Sequence, residues 1–517
     1  MSLQEPSDRE RRMYYCGLPS GPKLVARSSI TPWFQPHEWP KNKRLDVTTG
    51  HKIQQLWNDP QGSLRKLIIG NLSGIDWTAI DILRVGYEDA YQDADRLSQC
   101  PVTMLISVTE NSTSFRQAEA TIIACKDILI RFGLNDVEVE MKESIVSTTA
   151  STPGPATSDP SAGQSAPRLD PGPFDKDIND IKYDFFRDIS EYIGTSIDSP
   201  LEFKEGTKGL YLQGNNGKTY ALACRHSLFS VEYCKEYRYY DGNDTKYVLQ
   251  PGSDNLSKLV GRFKGKKEAI DETIEEMAKP AYDAPEFQEK LPDFLQEQTL
   301  LQSCQPRMEQ FDNEACAVIG RVEFSPPIEL CSQRLRLRDW ALVELAQDSF
   351  TTKLSELRNK VPVTQGLSSL VSRIPASPAE MARRLRFSAS HELAIGPIIM
   401  PGSEQDPPGL VVLKHGRTTG FTIGRANGVH SVLRHAFEIA EEVVSSEWCI
   451  VGLGNAFSDR GDSGAVVFDL EGRVGGMITA GLRKQDNADG FDVTYATPMQ
   501  WLLDDIKRHG YDVELPN

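Results

Sequence analysis

The chain has 517 residues, which is enough for about three domains of ~150 residues each. Hydrophobic residues make up 39% of the chain and charged residues 25%, as in an ordinary soluble globular protein. The formal net charge of −16 argues against nucleic acid as the main partner, because phosphate would be repelled over most of the surface.

Targeting and redox features of the sequence predict a cytoplasmic or nuclear protein that is not secreted. The charged N-terminal residues are not followed by an apolar stretch, and no run of about 18 apolar residues occurs anywhere. We therefore expect neither a secretory signal nor an association with a membrane. The nine cysteines are scattered without a CxxC pair, a pattern typical of reduced thiols rather than a disulfide framework.

Residues 1–145 mix the patterns of strands and helices. Apolar runs at 81–85 and 102–108 predict strands, and residues 115–132 carry apolar side chains at helical spacing. The sequence therefore predicts a small N-terminal α/β or α+β domain. It contains no metal-binding spacing, phosphate loop or nucleophile motif. We expect an interaction or regulatory module of unknown role, with a regulatory protein as its candidate partner.

Composition divides the rest of the chain. Residues 146–173 are dominated by Ser, Thr, Ala, Pro and Gly and predict a disordered linker. Residues 174–347 read as a β region interrupted by a helical insertion at about 256–310, which is rich in Lys, Glu, Ala and Gln. A second interruption spans 348–392. Residues 393–517 again show short apolar runs cut by glycines and end in a helix near Met499–Arg508.

The segment GDSGAVVF begins at Gly461 and predicts a tight turn that presents a serine hydroxyl ahead of a buried strand. Gly461 lets the backbone turn so that its own N–H and that of Ser463 can face one point. Such a pair of donors stabilises the negative oxygen that develops during attack on an acyl carbon. The alternative interpretation is an ordinary Gly-Asp-Ser-Gly turn between two strands.

A serine nucleophile needs a base, and the base needs a carboxylate that orients it. Among the eight histidines, His226 follows an apolar strand at the start of a turn, a location where a scaffold can fix an imidazole. Asp339 directly precedes the apolar strand WALVEL. Taken singly, a histidine in such a position is more often structural or solvated, and an aspartate there is more often a strand cap. Metal-site patterns such as HExxH are absent, so no metal and no other cofactor is predicted.

Together, these segments resemble the His, Asp and Ser blocks of trypsin/chymotrypsin-like serine proteases, in the same order along the chain. The blocks are ACRHSLF, RDWALVEL and GDSGAVVF. The resemblance implies that His226 is the general base, Asp339 its orienting carboxylate and Ser463 the nucleophile. It also implies an all-β double barrel in residues 174–347 and 393–517, with helical insertions. The layout further resembles multidomain fungal proteins that carry an N-terminal domain before a trypsin-like domain.

The same resemblance suggests where substrate binds. Residues 475–481 resemble the strand that pairs with the substrate backbone, which makes Thr479, Ala480 and Gly481 candidates for substrate binding. Phe457 stands six residues before the nucleophile, at the base of the specificity pocket in such enzymes. An aromatic residue there predicts a shallow pocket for small or apolar side chains.

Two departures from the family pattern bear on activation. The disulfides of secreted members are missing, and no segment resembles a trypsinogen activation peptide whose free amine would pair with Asp462. We therefore expect the oxyanion loop to form without proteolytic activation or to be ordered by a partner. The sequence as a whole predicts a serine endopeptidase acting on proteins or peptides. A catalytically silent protease-fold scaffold and a self-processing signalling or interaction protein are the alternatives.

Overall fold

The computed structural model describes residues 3–34, 41–59, 62–92, 99–148, 166–168, 185–200, 204–230, 233, 235–241, 244–279, 289–311, 317–331, 335–362, 392–398, 409–435, 443–485 and 490–516. In these residues the protein is mostly β, with few helices. The predicted interruption at 348–392 is described only up to residue 362 and at 392, and the predicted linker only at 146–148 and 166–168.

The strands and helices follow in chain order. The strands before residue 150 are β1 Lys23–Arg27, β2 Lys43–Asp46, β3 Trp77–Tyr87, β4 Val102–Val108, β5 Glu138–Glu143 and β6 Ile145–Thr148. Those between residues 196 and 398 are β7 Ser196–Asp198, β8 Glu205–Thr207, β9 Tyr211–Gly214, β10 Thr219–Ala223, β11 Tyr237–Arg238, β12 Tyr247–Leu249, β13 Val318–Ser325, β14 Glu329–Cys331, β15 Arg336–Arg338, β16 Ala341–Leu345, β17 Lys360–Pro362, β18 Glu392–Ala394 and β19 Gly396–Ile398.

The later strands are β20 Val411–Gly416, β21 Gly420–Ala426, β22 Ser431–His435, β23 Val443–Gly452, β24 Val466–Asp469, β25 Arg473–Arg483, β26 Val493–Pro498 and β27 Val513–Glu514. The α-helices are α1 Asp8–Met13, α2 Ile53–Asn58, α3 Ser63–Asn71, α4 Phe115–Arg131, α5 Ser253–Met277, α6 Leu291–Glu309 and α7 Met499–Arg508. Two of them, α5 and α6, occupy the segment where the sequence predicts a helical insertion. None of the helices in the described ranges is long and apolar enough to cross a membrane.

Nine strands of the described residues form what we call the first sheet, in the order β27-β9-β10-β16-β13-β12-β7-β8, with β11 also paired to β13. Apart from β27, its strands lie between residues 196 and 345. Its side chains contribute to an apolar core that includes the fully buried Tyr211, Leu222 and Trp340. In the described pairings β8 and β27 are the ends of this sheet, so the strand pairing does not establish the first of the two predicted barrels.

Fourteen strands of the described residues form the second sheet. Eleven of them follow the order β1-β5-β4-β3-β22-β23-β21-β20-β24-β25-β19, and β2, β6 and β26 pair with strands of this row from outside it. Because β26 pairs with both β23 and β25, the strands β20, β21, β23, β26, β25 and β24 are hydrogen-bonded in a closed ring. The α7 helix follows directly after the last strand of this ring and buries Trp501, Leu502 and Ile506.

The strands of the N-terminal region belong to this second sheet. Ile80 and Ala79 of β3 pair with Val432 and Leu433 of β22. Strand β6 pairs with residues 480–483 of β25. The predicted boundary at residue 145 therefore does not separate two sheets, and the first residues of the predicted linker are strand rather than tether. The pairing has a physical reason: β3 and β22 both carry largely buried side chains, and each strand satisfies the exposed edge of the other.

Candidate active site

His226 and Asp339 lie at the same end of the first sheet because their strands are neighbours. Strands β10 and β16 are antiparallel, with Ala223 opposite Ala341. Asp339 stands two residues before the start of β16, and His226 lies in a single 3-10 turn just after the end of β10. An antiparallel pair brings the end of one strand to the start of the other, so the two side chains meet.

The turn that carries His226 is anchored by the neighbouring Arg225. Its guanidinium is buried and donates to the Ser325 hydroxyl at 2.8 Å and to the carbonyls of Tyr233 and Lys235. The cation also lies 4.4 Å from the ring centroid of Phe229. These contacts fix the backbone of the turn, so the imidazole one residue later has a defined position.

The structure brings the three predicted site residues into one hydrogen-bonded row. The carboxylate of Asp339 accepts from the His226 backbone N–H at 3.0 Å and contacts the ring Nδ1 with its second oxygen. On the other side of the ring, Nε2 lies 2.5 Å from the hydroxyl oxygen of Ser463. Burial alone would raise the pKa of Asp339, but the charge and hydrogen bonds of His226 outweigh it and hold that pKa below its usual value.

Ser463 comes from the second sheet, in the loop just before β24. The loop requires glycine on both sides of Asp462-Ser463: Gly461 and Gly464 have φ of +102° and +94°. A Cβ on Gly464 would lie 2.1 Å from the Thr207 carbonyl oxygen. That close approach exists because Thr207 of β8 donates its N–H to the Ser463 carbonyl at 2.7 Å and its hydroxyl to the Gly461 carbonyl at 2.7 Å. The two sheets thus meet at the serine loop.

Asp462 is held by a buried ion pair that the sequence analysis did not foresee. The Lys414 ammonium of β20 lies 3.3 Å from the Asp462 carboxylate, and both side chains are fully buried. Burial alone would raise the pKa of Asp462. Lys414, with hydrogen bonds from Thr419, Thr418 and Asp459, instead keeps that pKa below its usual value. A fixed internal cation therefore pairs with the carboxylate beside Ser463.

Donor atoms of Cys224, His226 and Asp339 lie within 4.8 Å of one another, which is the spacing of a potential metal site. The chemistry of this set does not favour a metal. The thiol of Cys224 donates to the Ile478 carbonyl at 3.3 Å, and burial, reinforced by the charge of Asp339, raises the pKa of that thiol far above its usual value. A metal ligand must be the thiolate, which this environment disfavours.

The residues predicted to bind substrate fall in two places. Thr479, Ala480 and Gly481 lie on β25, and Ala480 and Gly481 are already paired with Thr148 and Ser147 of β6. Phe457 is 1% exposed, and its ring belongs to an apolar cluster in the second sheet. Other members of that cluster are Val412, Trp448, Ile450 and Ala465.

Phe491 is an aromatic residue that the sequence analysis missed. A Cβ on Gly481 would lie 2.3 Å from its ring, so the ring fills the space beside this glycine. Its side chain is 1% exposed. The signal available in the sequence was the Gly-Phe-Asp step just before β26, which carries no motif of its own.

No protein-family model and no curated protein matches this chain. Among solved structures, it is similar to a glutamic acid specific serine protease described as using a novel histidine triad in substrate binding. The match has 11% identity over 62% of this chain and 100% of the other, with a TM-score of 0.28. Nocardiopsis protease (NAPase) matches at 11% identity over 63% and 98%, with a TM-score of 0.30.

A third similar structure is Cellulomonas bogoriensis chymotrypsin, at 14% identity over 38% of this chain and 77% of the other, with a TM-score of 0.23. At these TM-scores the likeness identifies neither the fold nor the activity of this chain.

Proposed function

We propose that the protein is a serine endopeptidase that hydrolyses peptide bonds of proteins or peptides through an acyl-enzyme. The observation that carries this proposal is the row of contacts from the Ser463 hydroxyl through both ring nitrogens of His226 to the Asp339 carboxylate. A serine within 2.5 Å of an imidazole that is itself oriented by a buried carboxylate has the arrangement of an activated nucleophile.

In this mechanism Ser463 Oγ attacks the scissile carbonyl carbon while His226 Nε2 takes the hydroxyl proton. The tetrahedral intermediate collapses when the C–N bond breaks and His226 returns the proton to the leaving amine. Water then attacks the acyl-enzyme with His226 as base, which releases the acid and restores the Ser463 hydroxyl. Asp339 stabilises the imidazolium that forms in both steps without becoming protonated itself. This last role agrees with a carboxyl whose pKa is held low.

The N–H groups of Gly461 and Ser463 are the proposed donors to the negative oxygen of the intermediate. The ion pair between Lys414 and Asp462 supports a loop that is ordered within the folded chain, without a new amine released by proteolysis. We therefore propose that the protein needs no proteolytic activation. Trimming of the chain that proved obligatory for peptidase activity would contradict this.

We also propose a preference for small or apolar side chains at the substrate residue next to the cleaved bond. The support is Phe491, whose ring occupies the space beside Gly481 and leaves little room there for a long side chain or for its charge. Phe457, the residue predicted for the pocket base, is instead packed in the apolar cluster of the second sheet. Profiling with a peptide library tests this, and a strict requirement for Arg or Lys would exclude it.

The test of the activity is labelling of the purified protein with a fluorophosphonate probe, which reacts with an activated serine hydroxyl. We expect labelling of the wild type, no labelling of Ser463→Ala, and strongly reduced labelling of His226→Ala. The matched control is Ser458→Ala, a buried serine five residues before Ser463 whose hydroxyl contacts Thr494 at 2.6 Å. Equal labelling of the wild type and Ser463→Ala would exclude Ser463 as the nucleophile.

A silent scaffold is the second candidate, and one observation favours it. The side chain of Ser463 has no exposed surface and that of His226 is 2% exposed, so a substrate cannot reach them without a rearrangement. A scaffold of this kind would remain unlabelled by the probe and would hydrolyse no protein under any condition. Labelling of Ser463 would exclude it.

A further inference from the structure

One edge of β25 is shared between the serine loop and the chain's own strand β6. The opposite edge of β25 pairs with β26 along residues 476–482. On the edge in question, β24 pairs with residues 474–477, and then Ile478 exchanges hydrogen bonds of 2.9 Å with Gly464 and Ala465. Directly beyond that point, β6 covers residues 480–483. Strand β6 therefore continues the line of the main chain that carries Ser463.

The direction of β6 brings the chain towards the nucleophile. The pairing is antiparallel, from Ile145 opposite Arg483 to Thr148 opposite Ala480. Ala480 stands two residues from Ile478, which is hydrogen-bonded to the residue after Ser463. At about 3.3 Å per residue, Thr148 lies roughly 7 Å along the strand from that point. Within β6, each residue from Ile145 to Thr148 lies closer to that point than the one before it.

A peptide substrate needs this same edge. Extended peptides bind to a sheet by adding a strand, and their main-chain hydrogen bonds use the free N–H and C=O groups of the edge. Ala480 and Gly481, which the sequence analysis predicts to pair with the substrate backbone, lie opposite Thr148 and Ser147 of β6, which is paired with this edge. Two strands cannot hold the same edge at once, so β6 and a substrate exclude each other.

We propose that β6, Ile145–Thr148, is an autoinhibitory strand that occupies the substrate-binding edge of β25 and must leave it before a protein substrate can bind. This inference rests on the proposed function.

Strand β6 is attached weakly enough to the sheet that a substrate could displace it. It has only four residues, its first three side chains are half-buried, and Thr148 is exposed. Its apolar contact comes from Val146, which packs against the cluster that contains Leu482 and Tyr495. The preceding Ser144 is fixed by two hydrogen bonds. Its hydroxyl accepts from the Lys142 ammonium at 2.8 Å, and its carbonyl accepts from the Thr78 hydroxyl at 2.8 Å. Because Ser144 keeps β6 next to β25, the strand competes with a substrate for this edge at a high effective concentration. Because its own contacts are few, β6 can still detach locally while the rest of the protein stays folded.

The test releases β6 by a charge and follows hydrolysis of fluorescein-labelled casein by the full chain. Val146→Asp places a carboxylate against the apolar cluster and should free the strand. We expect its kcat/KM to rise about tenfold or more over the wild type, because a tethered competitor acts at an effective concentration in the millimolar range. Val260→Asp is the matched control, since it alters a half-buried valine of α5 and should leave the rate unchanged.

Two further measurements keep the result interpretable. Hydrogen exchange should be faster in Val146→Asp at residues 145–148 and 480–483, which shows that the strand has left the edge. A synthetic peptide of residues 143–148 should then inhibit this variant at millimolar concentration, whereas a scrambled peptide should not. If Val146→Asp does not fold, Ser147→Pro weakens the same pairing through the backbone and should raise the rate in the same way.

The outcomes separate this inference from the proposed function. Exchange data that show a released strand, together with a casein rate equal to that of the wild type, would overturn the autoinhibitory role and leave the peptidase intact. Absence of fluorophosphonate labelling at Ser463 in both the wild type and Val146→Asp would instead overturn the peptidase itself, and the inference with it.

Discussion

The two sheets are assembled in different ways, and the site takes one part from each. In the first sheet, β10 and β16 place His226 and Asp339 side by side through a single antiparallel pairing at one end of the sheet. In the second sheet, Ser463 depends on a glycine-flanked loop, on the Lys414–Asp462 ion pair and on a ring closed by distant strands. Strand register therefore positions His226, the proposed base, whereas glycine backbone conformations and a buried ion pair position Ser463, the proposed nucleophile.

The largest effect is expected from the first sheet's contribution to the chemistry. Asp339→Asn keeps the shape of the side chain but removes the charge that stabilises the imidazolium. We expect kcat to fall by about 10⁴-fold with the fold intact, as for orienting aspartates in such triads. Casein hydrolysis and circular dichroism measure the two quantities. Asp348→Asn, at an exposed site in the 3-10 turn that follows β16, is the control. A loss below tenfold for Asp339→Asn would contradict the assigned role.

The next effect concerns the charge that holds the nucleophile loop. Lys414→Met leaves the Asp462 carboxylate buried without its cation, which costs about 3–5 kcal/mol of unfolding free energy. Urea denaturation measures this, and fluorophosphonate labelling should fall in parallel. The double variant Lys414→Met/Asp462→Asn should recover part of the stability because no buried charge remains. A single variant as stable as the wild type would show that the loop does not depend on the pair.

A third prediction tests whether the second sheet unfolds as one unit. Leu433 is fully buried in β22 and pairs with Ala79 of β3, so Leu433→Ala should cost about 2–5 kcal/mol. We expect faster hydrogen exchange in β3 and β4 as well as in β23. Leu222→Ala in the first sheet is the matched truncation and should spare β3 and β4. Protection of β4 that is unchanged by Leu433→Ala would restore the independent N-terminal domain that the sequence predicts.

The smallest effect is a pH dependence that belongs to Glu447 of β23. Burial raises the pKa of this carboxyl to about 7, although Arg336 at 3.7 Å opposes the shift. Between the unfolded and the folded pKa value, Glu447 is therefore protonated in the folded state and ionised in the unfolded state. The stability that this proton contributes is complete below about pH 4, the unfolded pKa, and is lost as pH rises to about 7. Glu447→Gln should remove this loss, about 1–3 kcal/mol at pH 8.

The measurement must be a difference between Glu447→Gln and the wild type at each pH. Burial lowers the pKa of His435 to about 4 and those of His415 and His430 to about 3. These histidines bind fewer protons when folded, so their contribution rises with pH up to about 6.5, opposite to that of Glu447. The wild type and Glu447→Gln both contain these histidines, so the contributions of the histidines cancel in the difference between the two free energies of unfolding. A difference that is constant from pH 4 to pH 8 would refute the assignment.

The sequence was sufficient where a short motif carries its own geometry. His226 follows an apolar run, and Asp339 and Ser463 each precede one. The glycines around Ser463 have backbone conformations that only glycine adopts easily. The structure brings these three residues together as the motifs predict. The composition of residues 256–310 likewise indicated the helices that occupy this segment.

The sequence was insufficient where the decisive contact joins distant residues. The pairing of β3 with β22 has no local signal, because either strand could be covered by any apolar partner. Lys414 reads as one more charge in a hairpin until its buried partner is known. Strand β6 was not predicted because the linker was assigned from the composition of the whole segment 146–173. Ile145, Val146 and Thr148 favour strands, but the Ser/Pro/Gly-rich residues that follow dominate that composition.

Because β3 pairs with β22, which is synthesised much later, β3 must wait for its partner while the chain is being translated. Between the end of β3 and the start of β22 the ribosome must add about 340 residues, which takes roughly 20–70 s at about 5–20 residues per second. Throughout that interval the apolar edge around Ala79 and Ile80 lacks the neighbour that later covers it. A nascent chain in this condition is a natural client for chaperones, and its yield should fall when translation outpaces their supply.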